Sequence, residues 1–278
     1  MAFRAIVFDL DGTLISSGEK QIRPATLAAL KKARDQGITV TIASGRHHET
    51  IRAYHDQLEL GEVACICCNG AYLYDFQNSR AFSQNVLSLD IAKKMLRLVR
   101  RYDDVFFSIY TMDVLAYERP FTHIESLIRW GEGLKPELRP RIEAVPSFEA
   151  LLDAEPVISK FFLNPPDKLA MQDLEKEAVN ELSLICEWSG DHALDIANAG
   201  NSKGNRLKDW AEIQGIALEE IVAFGDSYND MDMLQNAGLG IAMAQADEPV
   251  KQCADLVAPG DNNTDAIADI LHHYVLNN

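Results

Sequence analysis

Two patterns of apolar residues share this chain. In the first, short apolar runs at residues 5–8 and 63–68 and an apolar, β-branched run at 38–43 alternate with stretches whose apolar side chains recur every three or four positions. Short runs of this kind read as buried strands, and the three-to-four spacing reads as helix. Residues 24–36 carry Leu27, Leu30 and Ala33 on one helical face, start at Pro24 and stop just before Gly37, which is helix punctuation. Residues 48–58 give a second helix. Strand, helix and strand in succession predict a parallel sheet with right-handed crossovers.

The second pattern begins near Ala71. Tyr72-Leu73-Tyr74 and Ala81-Phe82-Ser83 flank Asn78-Ser79, as in a hairpin. A helix is expected over 89–102, with Ser88 as its N-cap. Strands follow at 105–110 and 114–117, joined by the short turn Met112-Asp113, then a helix over 123–130. A strand at 157–163, a helix at 168–180 and strands at 182–187 and 193–196 complete the region. Neighbouring strands joined by short turns predict an antiparallel sheet with helices. The first pattern returns after Gly200: helix 202–214 ended by Gly215, strand 221–224, helix 230–236, strand 240–243 and helix 264–275. The expected fold is therefore α/β. A Rossmann-like parallel core formed by 1–82 and 198–278 is interrupted by an α+β insertion at 83–197.

Composition narrows the function. The 278 residues include 42 acidic and 26 basic ones, a net charge of −16. That excludes the basic footprint of a nucleic-acid binder, and an enzyme so acidic must place its positive charges individually if it handles anions. A hydrophobic fraction of 47% is enough for a sizeable core. No apolar run approaches a membrane span, and the first residues lack a signal-peptide layout. The cysteines Cys65, Cys67, Cys68, Cys186 and Cys253 show no zinc-ligand spacing and read as buried thiols of a reducing cytoplasm. Nothing in the composition separates a monomer from a homodimer.

Candidate chemistry sits where apolar runs end. The first strand runs into Asp9-Leu10-Asp11-Gly12-Thr13-Leu14. Alternate side chains of a strand share a face, so Asp9 and Asp11 are expected in one pocket at the carboxyl edge of the sheet, where open α/β sheets bind ligands. Carboxylates that close repel one another and gain purpose around a hard cation such as Mg²⁺. Ser44-Gly45-Arg46 follows the second strand and offers a hydroxyl and backbone N–H groups to an anion. Lys203, in Asn201-Ser202-Lys203-Gly204, opens a helix, where a cation is disfavoured by the helix dipole unless an anion sits nearby. Gly225-Asp226-Ser227-Tyr228-Asn229-Asp230 ends a further apolar strand on acids.

Read together, the four motifs resemble those of the haloacid-dehalogenase-like phosphatases, in their order. The position of the insertion resembles the Cof-type subgroup, whose large cap lies between the second and third motifs. The resemblance spans essentially the whole chain. It implies Asp9 as nucleophile and Asp11 as general acid and base. It implies Mg²⁺ held by Asp9, the Asp11 carboxylate and Asp226, with Asp230 supporting that shell. It also implies a phosphate site of Ser44, Gly45, Lys203, Asn229 and the backbone at Leu10.

The segments 66–74, 44–48 and 200–204 are similar to the members of this subgroup that act on pyridoxal 5′-phosphate, which implies a vitamin B6 phosphate as substrate. A sugar phosphatase, a phosphomutase and a non-catalytic phosphate sensor are the competing readings; the intact Asp9, Asp11, Lys203 and Asp226 stand against the last. Asn69 reads as a turn residue or a substrate contact, and His47 and His48 as helix-start residues or entrance residues. Tyr117, His123 and Trp130 read as packing aromatics, one of which could stack on a pyridine ring. The insertion is expected to select the leaving group.

Overall fold

In the computed structural model, residues 3–18, 20–189 and 191–276 are described. The chain forms two compact units: Met1–Arg46, Tyr54–Ser83 and Ser202–Asn278 make one, and His47–Ala53 with Gln84–Asn201 the other.

The first unit is built on an all-parallel five-stranded sheet, in the order Leu256–Val257, Leu239–Ala242, Ile221–Gly225, Ala5–Phe8, Thr39–Ile42. Ala5–Phe8 is buried at every position. Such strands need unbroken apolar sequence because helices cover both faces of a parallel sheet. Phe8 pairs with Phe224 on one side and Ile42 on the other, so the loops opening at Asp9, Ala43 and Asp226 leave one edge together. The two rings stack with centroids 4.7 Å apart. Helix Lys203–Gln214 is capped by Ser202, whose Oγ accepts from Asn205 N at 3.1 Å, and ends at Gly215 in the left-handed conformation. It buries Leu207 and Trp210 against Val7, Ala223 and Ile66. Trp210 Nε1 donates to Ala64 O at 3.0 Å.

The run at 63–68 does not join this sheet as a further parallel strand. Cys65–Cys67 pairs antiparallel with Tyr72–Asp75, which pairs with Arg80–Phe82, giving a separate three-stranded sheet. A single parallel bridge joins Ala43 to Ile66. The hairpin at 78–79 forms as expected, with Asp75 opposite Arg80.

The second unit has a six-stranded sheet in the order Leu184–Trp188, Leu194–Asn198, Ile158–Asn164, Phe106–Thr111, Leu115–Tyr117, Ile142–Ala144. All its pairings are antiparallel except the last. Alternation divides its faces. Phe107, Ile109, Phe161, Leu163, Leu194 and Ile196 pack against helices Leu89–Val99, Phe148–Asp153 and Gln172–Leu182. Tyr110, Lys160, Phe162 and Asp195 occupy the other face.

The sequence pattern missed strand Ile142–Ala144 and helices Phe148–Asp153 and Glu248–Cys253. Each is six residues or fewer, too short for a period to repeat. The C-terminal helix is α-helical only over Ala266–Ile270 and widens to a π-turn over Leu271–Val275. Among the described residues no helix is long and apolar enough to cross a membrane, and all five cysteines are free thiols.

Candidate active site

Asp9 follows the last residue of its strand, and its N–H donates to Phe224 O at 3.0 Å, which carries the sheet ladder one residue beyond Phe8. Its carboxylate is buried and meets Lys203, whose Nζ donates to Asp9 Oδ1 and to Asp230 Oδ1, both at 2.6 Å. Lys203 is 1% exposed. Burial disfavours its cation, yet Asp230 and Asp9 hold the ammonium well above its usual range. The helix-dipole objection to a lysine at this position is answered by the two carboxylates it bridges.

Asp230 is oriented by its other oxygen, Oδ2, which accepts from the N–H groups of Asp226 and Ser227 at 3.0 Å each. Asp226 accepts from Thr13 Oγ1 at 2.7 Å and from Ser227 Oγ at 3.2 Å. Gly12, at φ +87°, lies so close to the Asp226 carboxylate that a Cβ there would collide with it. The glycine is required by space as well as by backbone angle.

Asp9, Asp226 and Asp230 each bring an oxygen to within 4.8 Å of the others. Burial pushes the Asp9 carboxyl well above the usual range, and repulsion from Asp230 and Asp226 adds to it, against the pull of Lys203. Burial, with the charge of Asp230, pushes Asp226 up to about 6. The set consists of hard oxygen donors with more anionic than cationic charge, which suits a divalent cation such as Mg²⁺.

The Asp11 carboxylate is not part of this cluster. Arg46 donates to it twice, Nε to Oδ2 at 2.6 Å and Nη2 to Oδ1 at 2.8 Å, and Lys20 Nζ donates at 3.1 Å. Its surroundings would raise the carboxyl, but Arg46 and then Lys20 outweigh them and hold it well below the carboxylate range. Asp11 departs from the expected face because the strand ends at Phe8 and the chain turns at 10–12, where strand alternation no longer applies. The third acid beside Asp9 and Asp226 is therefore Asp230. Arg46 lay within a recognised motif but carried no expected role, and neither did Thr13.

The expected phosphate residues occupy the same unit. Leu10 is fully buried, and its carbonyl accepts from Ile15 N at 3.0 Å. Ser44 is buried, and its Oγ accepts from Arg46 N at 3.2 Å, closing the turn. Gly45 sits against Asn69: a Cβ on Gly45 would lie 2.9 Å from Asn69 Oδ1. Asn229 Nδ2 donates to the same Asn69 Oδ1 at 3.0 Å.

His47 and His48 are buried rather than solvated. His47 Nε2 lies 2.7 Å from Thr111 O, and its Nδ1 accepts from Glu49 N at 3.2 Å. One ring nitrogen donates and the other accepts, so the ring is neutral. Burial takes its pKa down to about 3, and burial with His47 beside it also depresses His48. In the second unit His123 Nε2 is 3.0 Å from Tyr110 Oη, and its ring stacks on Phe162 at 4.1 Å. Lys160 Nζ donates to Asp195 at 2.6 Å and lies 4.9 Å from the Tyr110 ring centre. Tyr117 ends a strand on that sheet, and Trp130 lies on helix Thr122–Glu132.

A sequence model described as haloacid dehalogenase-like hydrolase matches residues 6–271. The chain is 37% identical over 276 residues to a pyridoxal phosphate phosphatase of Escherichia coli, covering 99% of this chain and 100% of that protein. It is 27% identical to a 5-amino-6-(5-phospho-D-ribitylamino)uracil phosphatase of Bacillus subtilis, covering 93% and 94%. Among solved structures, a haloacid dehalogenase-like hydrolase from B. subtilis superposes with a TM-score of 0.83 at 24% identity, over 98% of this chain and 100% of that one. This likeness carries the fold.

Proposed function

The chain belongs to the haloacid dehalogenase-like hydrolases and is a phosphatase of that family; from that premise we propose that it hydrolyses pyridoxal 5′-phosphate to pyridoxal and phosphate, with Mg²⁺ as cofactor. The carrying observation is the trio Asp9, Asp226 and Asp230, the first and last of them buried, with Lys203 between those two. The pyridoxal assignment is supported by the full-length 37% identity, against 27% for the uracil-derivative phosphatase.

Asp9, Asp226 and Asp230 would hold the ion, and Mg²⁺ bound there supplies charge neutralisation for an anion meeting an anionic phosphoryl group. Lys203 fixes Asp9 through Oδ1 and leaves Oδ2 as the attacking oxygen. Attack forms the Asp9–phosphorus bond and breaks the ester bond, giving a phosphoaspartyl enzyme. Asp11 gives a proton to the departing alkoxide, then takes one from the water that hydrolyses the acyl phosphate. We assign Asp11 to this proton transfer and leave its carboxylate out of the metal shell. Lys203, the Asn229 amide, Ser44 and the backbone at Leu10 and Gly45 bind phosphoryl oxygens. The five thiols accord with a cytoplasmic enzyme.

The test is release of inorganic phosphate, with Mg²⁺ present, from pyridoxal 5′-phosphate, the phosphoribitylamino-uracil and a panel of sugar phosphates. Pyridoxal 5′-phosphate should lead in kcat/KM by at least about tenfold. A higher value for another phosphate overturns the substrate. An isomeric phosphate in place of free phosphate makes the enzyme a mutase.

A further inference from the structure

The turn at 68–70 has three consecutive residues in the left-handed region: Cys68 at φ +50°, Asn69 at +53° and Gly70 at +85°. Two of them carry side chains, which disfavours this conformation, and such turns persist only where their surroundings impose them. The surroundings here are the chemistry-bearing loops. Cys68 N donates to Arg46 O at 2.9 Å and Asn69 N to Ser44 O at 3.0 Å. Arg206 Nε donates to Gly70 O at 2.8 Å, and a Cβ on Gly70 would collide with the Ser202 backbone. The Asn69 side chain, 3% exposed, accepts from Asn229 Nδ2 at 3.0 Å and fills the space left by Gly45. One turn therefore ties the Ser44–Arg46 loop, the start of the Lys203 helix and the Asn229 loop together.

We propose that Asn69 is a positioning residue: its Oδ1 fixes the Asn229 carboxamide so that the second hydrogen on Asn229 Nδ2 points at a phosphoryl oxygen. The inference rests on Asn229 contacting the phosphoryl group. An amide tethered by one N–H loses the freedom to rotate away, so less order must be imposed when phosphate binds. Gly45 acts in the same arrangement, by leaving room for the Asn69 carboxamide.

Asn69→Gly is the direct test, because glycine keeps the left-handed turn and removes the carboxamide that accepts from Asn229. Loss of one positioning hydrogen bond should lower kcat/KM about tenfold, mainly through KM. The inhibition constant for inorganic phosphate should rise by a similar factor, with the unfolding midpoint unchanged. Gly45→Ala, which crowds the same carboxamide, should reproduce the effect and serves if the first variant folds poorly. Asn69→Gly should add nothing to Asn229→Ala, since both act through that amide. A severe Asn229→Ala beside an Asn69→Gly within about twofold of wild type overturns the inference while leaving the Asn229 phosphate contact standing. Losses that multiply in the double variant also overturn it. A harmless Asn229→Ala removes the phosphate contact itself, and the positioning role with it.

Discussion

Arg46 grips the Asp11 carboxylate through two N–H groups, at 2.6 and 2.8 Å. Such a pair holds the acid ionised, and an ionised acid has no proton to give. Proton donation therefore requires the carboxylate to leave Arg46 when substrate arrives. Asp11→Ala should cut kcat/KM by about 10²-fold or more for alkyl phosphates such as pyridoxal 5′-phosphate. It should cost far less with 4-nitrophenyl phosphate, whose leaving group departs unprotonated. Equal losses on both substrates would take the proton transfer away from Asp11.

Asp9→Asn is expected to abolish turnover, by at least about a thousandfold, while the fold is kept. The amide is nearly isosteric, and Lys203 keeps its bond to Asp230. Wild type quenched during turnover should carry phosphate on one aspartate, and the variant none. Phosphate release near the wild-type rate would discard the covalent mechanism.

Lys203→Met removes the ammonium that bridges Asp9 and Asp230. Breaking a buried pair strands its partner, so unfolding in urea without metal should show a loss of about 3–5 kcal/mol. Added Mg²⁺ should restore part of that loss in the variant, and chelation should abolish wild-type activity. Ca²⁺ is expected not to substitute, because it takes more oxygens in looser geometry. A metal-free variant as stable as wild type would mean the bridge carries no folding energy.

His47 is buried neutral, with a folded pKa near 3 against about 6.5 unfolded. The unfolded chain binds the extra proton between these values, so stability falls as pH drops below about 6.5 and continues to fall to about 3. By linkage the loss from this residue reaches about 2 kcal/mol at pH 5. Chemical denaturation at pH 7 and pH 5 should show a difference smaller by that amount in His47→Gln. Identical pH slopes in the two proteins would contradict the neutral, hydrogen-bonded ring.

Leaving-group preference should respond to the second unit. His123 is held by Tyr110 and Phe162 on the sheet face opposite the helices. If this set recognises the pyridine ring, His123→Ala lowers kcat/KM for pyridoxal 5′-phosphate about tenfold more than for 4-nitrophenyl phosphate. Parallel declines would assign His123 to packing.

The two regimes of the fold were legible because apolar periodicity is a local property that burial imposes on every strand and helix. Asp9, Lys203 and Asp226 were legible for the same reason: each stands at the end of an apolar run or at the start of a periodic helix, within a specific string. Periodicity fails where chain direction changes. Asp11 was assigned to the face of Asp9 on the assumption that the strand continues, and the turn after Phe8 hands its carboxylate to Arg46 instead. The run at 63–68 looked like one more parallel strand, but hydropathy does not encode a hydrogen-bonding partner, and Cys65–Cys67 pairs with the hairpin that follows it. Only the assembled fold could join Lys203 to Asp9 across 194 positions, or Asn229 to Asn69 across 160. Those pairings depend on which loops the sheet order brings to one edge, and sheet order is set by packing between segments that carry no local record of one another.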